Sequence, residues 1–176
     1  MTGLNRKTRA FLGLGGNLGQ PEPTMAAALR ALDANPGVEV ERVSSIYRTP
    51  PWGQTNQPDF LNAVAEVWTD LDPHALLSLC LEIERVLKRE RRERWGPRLV
   101  DIDILIFGDA VISDNTLQVP HPQMLMRAFV LVPLAEIAPD LVLDGQPIKK
   151  HLARLDTAKI ERLKPESWWW EDPIRR

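Results

Sequence analysis

Cysteine is almost absent from this sequence: its 176 residues include only Cys80, so no internal disulfide can form. Such cysteine usage is typical of proteins in a reducing compartment, and we expect a cytoplasmic location. No apolar run approaches the roughly 20 residues that span a bilayer. The apolar residues 10–14, after a basic start, are too few for the core of a signal peptide. We therefore expect no membrane association.

A strong excess of either charge is also missing, because the formal net charge is −2. No overall field then attracts nucleic acid or an anionic membrane. Internal repeats and low-complexity linkers are lacking as well. The length suits one hydrophobic core, so we predict a single, monomeric domain over residues 1–162. A tail at residues 163–176 follows, with three consecutive tryptophans and no function that the sequence indicates.

Two carboxylates interrupt an otherwise apolar stretch at residues 100–107, which reads as a buried strand. Side chains alternate between the faces of a strand, so Asp101 and Asp103 lie together on one face. Two like charges this close repel each other and lose hydration, unless a cation lies between them. Oxygen ligands beside substrate phosphates favour Mg²⁺. The pattern therefore predicts a magnesium site.

A dense run of basic residues precedes this strand, from Arg85 to Arg98. Guanidinium groups suit phosphate oxygens better than the point charge of an ammonium group does. We interpret Arg85 and Lys88, which still belong to a helix, as solvated surface residues. The arginines that follow them, together with Asp101 and Asp103, predict a site for a metal-bound polyphosphate.

The order of elements indicates the fold class. Hydrophobic periodicity predicts strands at residues 8–14, 38–47, 60–68 and 100–107, and helices at residues 21–34 and 73–88. A small ribbon (111–112 with 117–119), a helix at 124–137 interrupted by Pro133 and a short helix near 148–155 follow. The resulting βαββαβ order predicts an α+β, ferredoxin-like antiparallel sheet with helices on one face and a C-terminal extension. The other face, with Phe60, Asn62 and the two aspartates, would be left for a ligand.

Six short motifs in a fixed order resemble the 6-hydroxymethyl-7,8-dihydropterin pyrophosphokinase family of folate biosynthesis. They span about residues 9–155, and the set is far more specific than any one member. The motifs are LGGNL at 14–18, SIYRTPP at 45–51, QPDFLN at 57–62, RWGPR at 94–98 leading to DID at 101–103, VPH at 119–121 and RAF at 127–129. The chain departs from the family's usual pattern at Gly16, Lys88 and Thr116.

The resemblance implies transfer of pyrophosphate from ATP to the hydroxymethyl group of the pterin, with release of AMP. It implies two Mg²⁺ ions on Asp101 and Asp103, and catalytic roles for these aspartates, Arg89 and Arg98. The implied pterin-binding residues are Thr49, Pro50, Trp52, Phe60, Asn62 and Phe129. The implied ATP-binding residues are Glu84, Arg89, Arg91, Arg92, Trp95, Arg98, His121 and Arg127. The positions of Phe60 and Phe129 correspond to two aromatic rings that enclose the pterin.

Two other functions remain as alternatives. One is an RNA-binding module on the same fold, which would stack bases on exposed aromatic residues of its central strands. The corresponding strand here carries Asp101 and Asp103, which would repel a phosphate backbone, and the net acidity also disfavours RNA. The other is a family member that has lost catalysis and acts as a partner of another folate enzyme. The two retained aspartates argue against this loss of catalysis.

Overall fold

Ten strands and four α-helices form the part of the chain that the computed structural model describes: residues 6–51, 56–90, 99–164 and 168–172, without the side chains of residues 89, 90 and 164. The strands are β1 (Thr8–Gly16), β2 (Val38–Val43), β3 (Ile46–Thr49), β4 (Phe60–Thr69), β5 (Asp101–Phe107), β6 (Ile112–Ser113), β7 (Gln118–Val119), β8 (Val142–Leu143), β9 (Gln146–Pro147) and β10 (Glu161–Lys164). The helices are α1 (Pro21–Ala34), α2 (Pro73–Glu90), α3 (Ala128–Ile137) and α4 (Ile148–Leu152), and Met124–Met126 form a 3₁₀ turn.

The main sheet is antiparallel and has the strand order β10-β3-β4-β1-β5. Strand β2 also pairs with β4, beyond the part of β4 that β3 covers, so β2 and β3 lie one after the other along the same edge. The structure confirms the predicted mixed fold of helices and an antiparallel sheet. The small ribbon is also present, as β6 paired with β7.

The single strand predicted at residues 38–47 is wrong, because Ser44 and Ser45 divide it into β2 and β3. The Oγ of Ser44 accepts the N–H of Val64 at 2.9 Å and donates to the carbonyl of Ser45 at 2.8 Å. A serine hydroxyl thus replaces part of the regular backbone ladder, as short polar side chains commonly do. We call this interruption the Ser44–Ser45 break.

The first face of the sheet packs against α1 and α2. Its strand residues alternate in sequence, as Leu12 and Leu14 do on β1, and they are almost fully buried. Leu29 of α1 and Leu76 of α2 contact the same hydrophobic cluster. Cys80 also lies in this core, and burial raises the pKa of its thiol to about 12, so it is a packing residue rather than a nucleophile.

The second face is covered as well, so the prediction of helices on one face only is wrong. Phe11 and Val64 point to this face and form a second hydrophobic cluster with Leu131 and Leu134 of α3 and Ile148 of α4. An apolar sheet surface must be covered by another layer, and α3 and α4 provide that layer. The sequence prediction took account of the polar residues on this face and not of these two apolar ones.

Pro133 does not interrupt helix α3, contrary to the prediction. It lies inside the helix, where it lacks the N–H that would bind the carbonyl of Phe129. The helix continues because its apolar residues are buried on both sides of the proline, including Leu131 and Ile137. The residues before it, Met124–Met126, form a separate 3₁₀ turn.

The C-terminal residues add a strand that the sequence did not predict. Strand β10 pairs with β3, and the predicted domain boundary after residue 162 falls inside β10. Beyond it, Trp169 is buried in the first-face core and its Nε1–H donates to the carbonyl of Ser44 at 2.9 Å. At least this part of the tail therefore packs on the sheet.

Helices long and apolar enough to cross a membrane are not found among the described residues.

Leu131→Ala tests whether α3 holds the second face. Removing a fully buried leucine should lower the free energy of unfolding by about 2–5 kcal/mol, since it leaves a cavity between α3 and the sheet. The matched control is Leu81→Ala on α2, where the side chain is 53% exposed, with an expected change within about 0.5 kcal/mol. Urea denaturation measures both, and equal effects would show that α3 does not contribute to the core.

Candidate active site

One end of the second face remains accessible. On β4, the buried Val64 gives way to the half-buried Phe60, and on β5, the buried Leu105 gives way to the exposed Asp103. Helices α3 and α4 cover Val64 and Leu105. The part of the second face that carries Asn62, Asp103 and their neighbours, here called the open end, is therefore where a ligand can reach the sheet.

The strand register places the predicted site residues side by side across the open end. Asn62 of β4 pairs with Gly15 of β1, and Gly15 pairs with Asp101 of β5. In the next row, Gly13 of β1 pairs with Asp103. Neighbouring strands are about 4.8 Å apart, so Asn62 and Asp101 stand roughly 10 Å apart across a glycine that has no side chain.

Gly15 forms the floor between these polar groups. A Cβ atom added at Gly15 would lie 2.9 Å from Oδ1 of Asn62, closer than real Cβ contacts come. The Asn62 amide thus leans over the glycine, while its Nδ2 donates to Oγ1 of Thr49 at 3.1 Å. Strand β1, which was predicted to end at residue 14, continues through Gly15 and Gly16. The two adjacent glycines after the predicted strand were the sequence signal for this gap between side chains.

Glu84 lies close to the two aspartates of β5. Glu84 of α2 accepts the backbone N–H of Ile102 at 2.7 Å, so α2 is fixed to β5 between the two aspartates. Burial raises the pKa of Glu84, and the charges of Asp101 and Asp103 raise it further, whereas the Ile102 N–H and Lys88 lower it. The sequence-predicted Glu84, Asp101 and Asp103 are therefore close enough to interact electrostatically.

The donor set suits a hard cation that also binds phosphate. Within the described part of the chain, no group of three or more His, Cys, Asp or Glu residues has metal-binding geometry. Glu84 accepts the Ile102 N–H through one oxygen, whereas Asp101 and Asp103 project from β5 on the second face. Mg²⁺ commonly binds one or two carboxylates and completes its shell with water and substrate phosphates, so the two aspartates fit it.

His121 and Arg127 lie near Asp103. The N–H of His121 donates to the carbonyl of Leu105 at 2.8 Å, just after a cis peptide bond between Val119 and Pro120. Burial lowers the pKa of His121, and Arg127 lowers it too, whereas Asp103 raises it. These interactions bring His121, Arg127 and Asp103 together at one side of the open end.

The imidazole of His121 is oriented by its own loop. Its Nδ1 accepts the backbone N–H of Gln123 at 3.2 Å. In the neutral ring the proton is then on Nε2, which can donate a hydrogen bond to an anion. His121 is thus a donor whose tautomer is set by the protein.

The aromatic residues predicted to enclose the pterin lie on different elements. Phe60 begins β4 and pairs with Thr49 of β3. Phe129 lies in the first turn of α3, where it packs against the second-face cluster, and the guanidinium carbon of Arg127 is 5.6 Å from the centre of its ring. Arg127 also donates to Oε1 of Gln123.

The remaining predicted residues are only partly described. Pro50 directly follows β3 and is half-buried. Arg89 belongs to α2, but its side chain lies outside the described residues. Trp52, Arg91, Arg92, Trp95 and Arg98 also lie outside the described residues.

Comparison with known proteins identifies the family. A family model described as 7,8-dihydro-6-hydroxymethylpterin-pyrophosphokinase (HPPK) matches residues 11–139. The chain belongs to this pyrophosphokinase family. The 2-amino-4-hydroxy-6-hydroxymethyldihydropteridine pyrophosphokinase of Methylorubrum extorquens is 53% identical over 156 residues, 89% of this chain and 99% of the relative. That of Pseudomonas aeruginosa is 44% identical over 156 residues, 88% of this chain and 96% of the relative.

Solved structures agree on the fold. Wild-type HPPK-DHPS of Plasmodium falciparum superimposes with a TM-score of 0.70 at 15% sequence identity. The match covers 85% of this chain and 45% of the Plasmodium chain, so this chain spans less than half of that longer protein. At this identity the likeness supports the shared pyrophosphokinase fold alone.

Glu84→Gln tests the carboxylate cluster of this pyrophosphokinase. The folded protein binds the Glu84 proton more tightly than the unfolded chain, because the folded pKa lies above the ordinary value of 4.5. The free energy of unfolding should therefore fall as pH rises from 4.5 through the folded pKa. In Glu84→Gln this decline should be shallower, since glutamine does not titrate and still accepts the Ile102 N–H. Urea unfolding between pH 4.5 and 7, without divalent metal, measures the slope.

Glu41→Gln, exposed on β2, is the matched control for this experiment. A slope in Glu84→Gln that equals the wild-type slope would contradict the raised pKa of Glu84, to which burial contributes most and the two aspartates add.

Proposed function

We propose that the open end of the second face is where this chain carries out the reaction of its family. As a pyrophosphokinase of folate biosynthesis, it transfers pyrophosphate from ATP to 6-hydroxymethyl-7,8-dihydropterin. A bond forms between the pterin hydroxyl oxygen and the β-phosphorus, the bond from that phosphorus to AMP breaks, and the hydroxyl loses its proton. The observation that carries the placement is the register of Asn62, Gly15 and Asp101 in one row.

Asp101 and Asp103 are the proposed ligands of Mg²⁺, with two ions expected. Bound there, Mg²⁺ would neutralise charge on the phosphate oxygens of ATP and help to place them in line with the attacking hydroxyl. Both carboxylates face the open end, and both raise the pKa of Glu84, which indicates a concentrated negative charge. A divalent cation would relieve that repulsion.

The opposite end of the row is the proposed pterin slot. Asn62 can both donate and accept at the edge of a flat heterocycle, and Thr49 fixes its amide through the 3.1 Å hydrogen bond. Gly15 allows the ligand to approach the backbone of β1. We further propose that Phe60 and Phe129 hold the two faces of the ring, with Pro50 and Trp52 completing the slot.

The triphosphate of ATP would lie beside the Asp101 end of the row, near His121 and Arg127. His121 offers an Nε2–H, and Arg127 offers a guanidinium group to phosphate oxygens. Arg127 contacts Gln123 and Phe129, so it would exchange these contacts for phosphate. The other proposed ATP-binding residues are Glu84, Arg89, Arg91, Arg92, Trp95 and Arg98, with Arg89 and Arg98 also proposed to be catalytic.

We also propose that the core connectivity is the split βαβ, ferredoxin-like arrangement. Its support is the central order of β3, β4, β1 and β5, each antiparallel to its neighbour. The cytoplasmic location, the monomeric state and a single domain ending near residue 162 stay predictions from the sequence.

Asp103→Asn tests the metal site with a side chain of equal size. Loss of one ligand charge should lower turnover about a thousand-fold, the equivalent of several kcal/mol of transition-state stabilisation. The matched control is Asp109→Asn, exposed in the turn after β5, with turnover within about two-fold of wild type. Release of AMP at saturating Mg²⁺ measures the rate, and circular dichroism checks the fold. Near-normal turnover by a folded Asp103→Asn would refute the metal assignment.

Gly15→Ala tests the pterin slot. The new Cβ would displace the Asn62 amide and break its hydrogen bond to Thr49, so the Kd of the pterin should rise about ten-fold. The Kd of a nonhydrolysable ATP analogue should stay within about two-fold. Isothermal titration measures both.

Gly13→Ala on the same strand is the control for Gly15→Ala. Its Cβ meets only the flexible side chain of Leu105, at 3.4 Å, so pterin affinity should be retained. Equal losses of pterin affinity in the two variants would contradict a specific role for Gly15.

A further inference from the structure

Glu136, one residue before the end of α3, connects this helix to strand β3. Its Oε2 accepts the backbone N–H of Ser45 at 2.6 Å. Its Oε1 accepts the hydroxyl of Ser45 and, at 3.1 Å, the hydroxyl of Tyr47. One carboxylate therefore binds three donors on a single short strand segment, a pattern that only an acceptor with two free oxygens can satisfy.

These hydrogen bonds are stronger than neutral ones, because a carboxylate accepts them. Tyr47 stays a donor throughout the physiological range, since burial, followed by the charge of Glu136, raises the pKa of its phenol to about 12. Glu136 thus holds the backbone directly before β3, at Ser45, and a side chain of β3, Tyr47. Ser45 and Tyr47 belong to the SIYRTPP motif, but the proposed function gives neither of them a contact with a substrate.

Tyr47 lies next to the residue that is proposed to read the pterin. In the register, Tyr47 of β3 is directly opposite Asn62 of β4. Directly opposed residues on one face have Cβ atoms about 4.5–5.5 Å apart, so the tyrosine ring borders the Asn62 side chain. Tyr47 is 6% exposed and Asn62 is 8% exposed, so both are packed.

Strand β3 also provides the hydrogen-bond partner of Asn62. Thr49, two residues after Tyr47, points to the same face and accepts the Asn62 Nδ2–H. The two groups that orient the Asn62 amide from the β3 side, the Tyr47 ring and the Thr49 hydroxyl, therefore both belong to β3. Any shift of β3 relative to β4 would move them together.

The Ser44–Ser45 break is where such a shift would begin, since the regular pairing of this edge with β4 is interrupted there, between β2 and β3. Glu136 holds Ser45 from the second face. Trp169 holds Ser44 from the first face through its 2.9 Å hydrogen bond to the Ser44 carbonyl. The break is thus fixed from both sides.

We infer that Glu136 is a positioning residue for pterin recognition: through Ser45 and Tyr47 it sets β3, and through β3 it sets the Asn62 amide. This inference rests on the proposed pterin slot. It assigns no contact between Glu136 and either substrate. Its distinguishing consequence is a loss of affinity for the pterin that does not extend to ATP, because β3 lies on the side of the sheet away from Asp101 and Asp103.

Glu136→Gln is the decisive variant. Glutamine has the same size but presents an NH₂ group where a carboxylate oxygen accepted a donor, so at least one of the three bonds must break. The Kd of the pterin, measured with a saturating nonhydrolysable ATP analogue, should rise about ten-fold. The Kd of the ATP analogue alone should stay within about two-fold of wild type.

Tyr47→Phe supplies a second, milder test, since it removes one donor and keeps the ring beside Asn62. It should weaken pterin binding in the wild-type background and have a smaller effect in the Glu136→Gln background, because the two residues act through one contact. Glu39→Gln is the matched control, since Glu39 is exposed on β2 and pairs with Lys7 at 2.8 Å. It should change neither affinity.

The outcomes separate this inference from the proposed function. If wild-type protein does not bind the pterin, the proposed function fails. If wild type binds it and Glu136→Gln binds it equally well, or loses pterin and ATP affinity to the same degree, only the positioning role fails. Should Glu136→Gln not fold, a Tyr47→Phe protein with unchanged pterin affinity overturns the inference.

Discussion

The antiparallel register of β4, β1 and β5 is the constraint on which the rest of the site depends. It places Asn62, Gly15 and Asp101 in one row, so that a hydrogen-bonding amide and a carboxylate face each other across a residue without a side chain. A shift of one residue in any of the three strands would turn these groups toward the first-face core. The hydrophobic residues that alternate with them prevent that shift, because Leu12 and Leu14 must stay buried.

Along the same strands, one part of the second face packs against α3 and α4, and another part carries the proposed active-site residues. Helix α3 begins directly after Arg127, which lies near His121 and Asp103. It ends over β3 and β2, where Arg42 donates to the carbonyl of Ile137 at 3.3 Å. The far end of this face carries a different set of interactions.

At that far end, the buried Glu66 binds Arg9 at 2.7 Å, and the guanidinium of Arg9 lies 4.8 Å from the centre of the Phe11 ring. The ion pair occupies the end of the face that is farthest from the aspartates. The open end is thus the part of the face that neither the α3 and α4 layer nor this ion pair occupies.

Much of the site was predictable because strand alternation is a local rule. The positions of Asp101 and Asp103 two residues apart, and of Phe60 and Asn62 two residues apart, predicted which side chains share a face. Metal binding by Asp101 and Asp103 stays a prediction, and so does the enclosure of the pterin by Phe60 and Phe129. The features that were missed depend on contacts distant in sequence. Pairing of β10 with β3 joins segments over a hundred residues apart, which no local pattern reveals.

Two of the missed features show what kind of signal was lacking. The second-face layer was missed because the prediction took account of the polar residues on this face and not of the apolar Phe11, Val64 and Leu105. The interaction of Glu136 with Ser45 and Tyr47 was missed because an acidic residue near a helix end usually faces water. Its partners are identifiable only once α3 is known to cross β3.

Paramagnetic broadening in NMR spectra tests the placement of the reaction most directly. Mn²⁺ would replace Mg²⁺ in the presence of a nonhydrolysable ATP analogue, and the backbone amide signals of β1, β4 and β5 would be followed. The account predicts the strongest loss of signal at Gly13, Gly15 and Asp103, and the weakest at Arg9 and Glu66, at the other end of the same face. Strongest broadening at Arg9 and Glu66, or equal broadening at both ends, would contradict it.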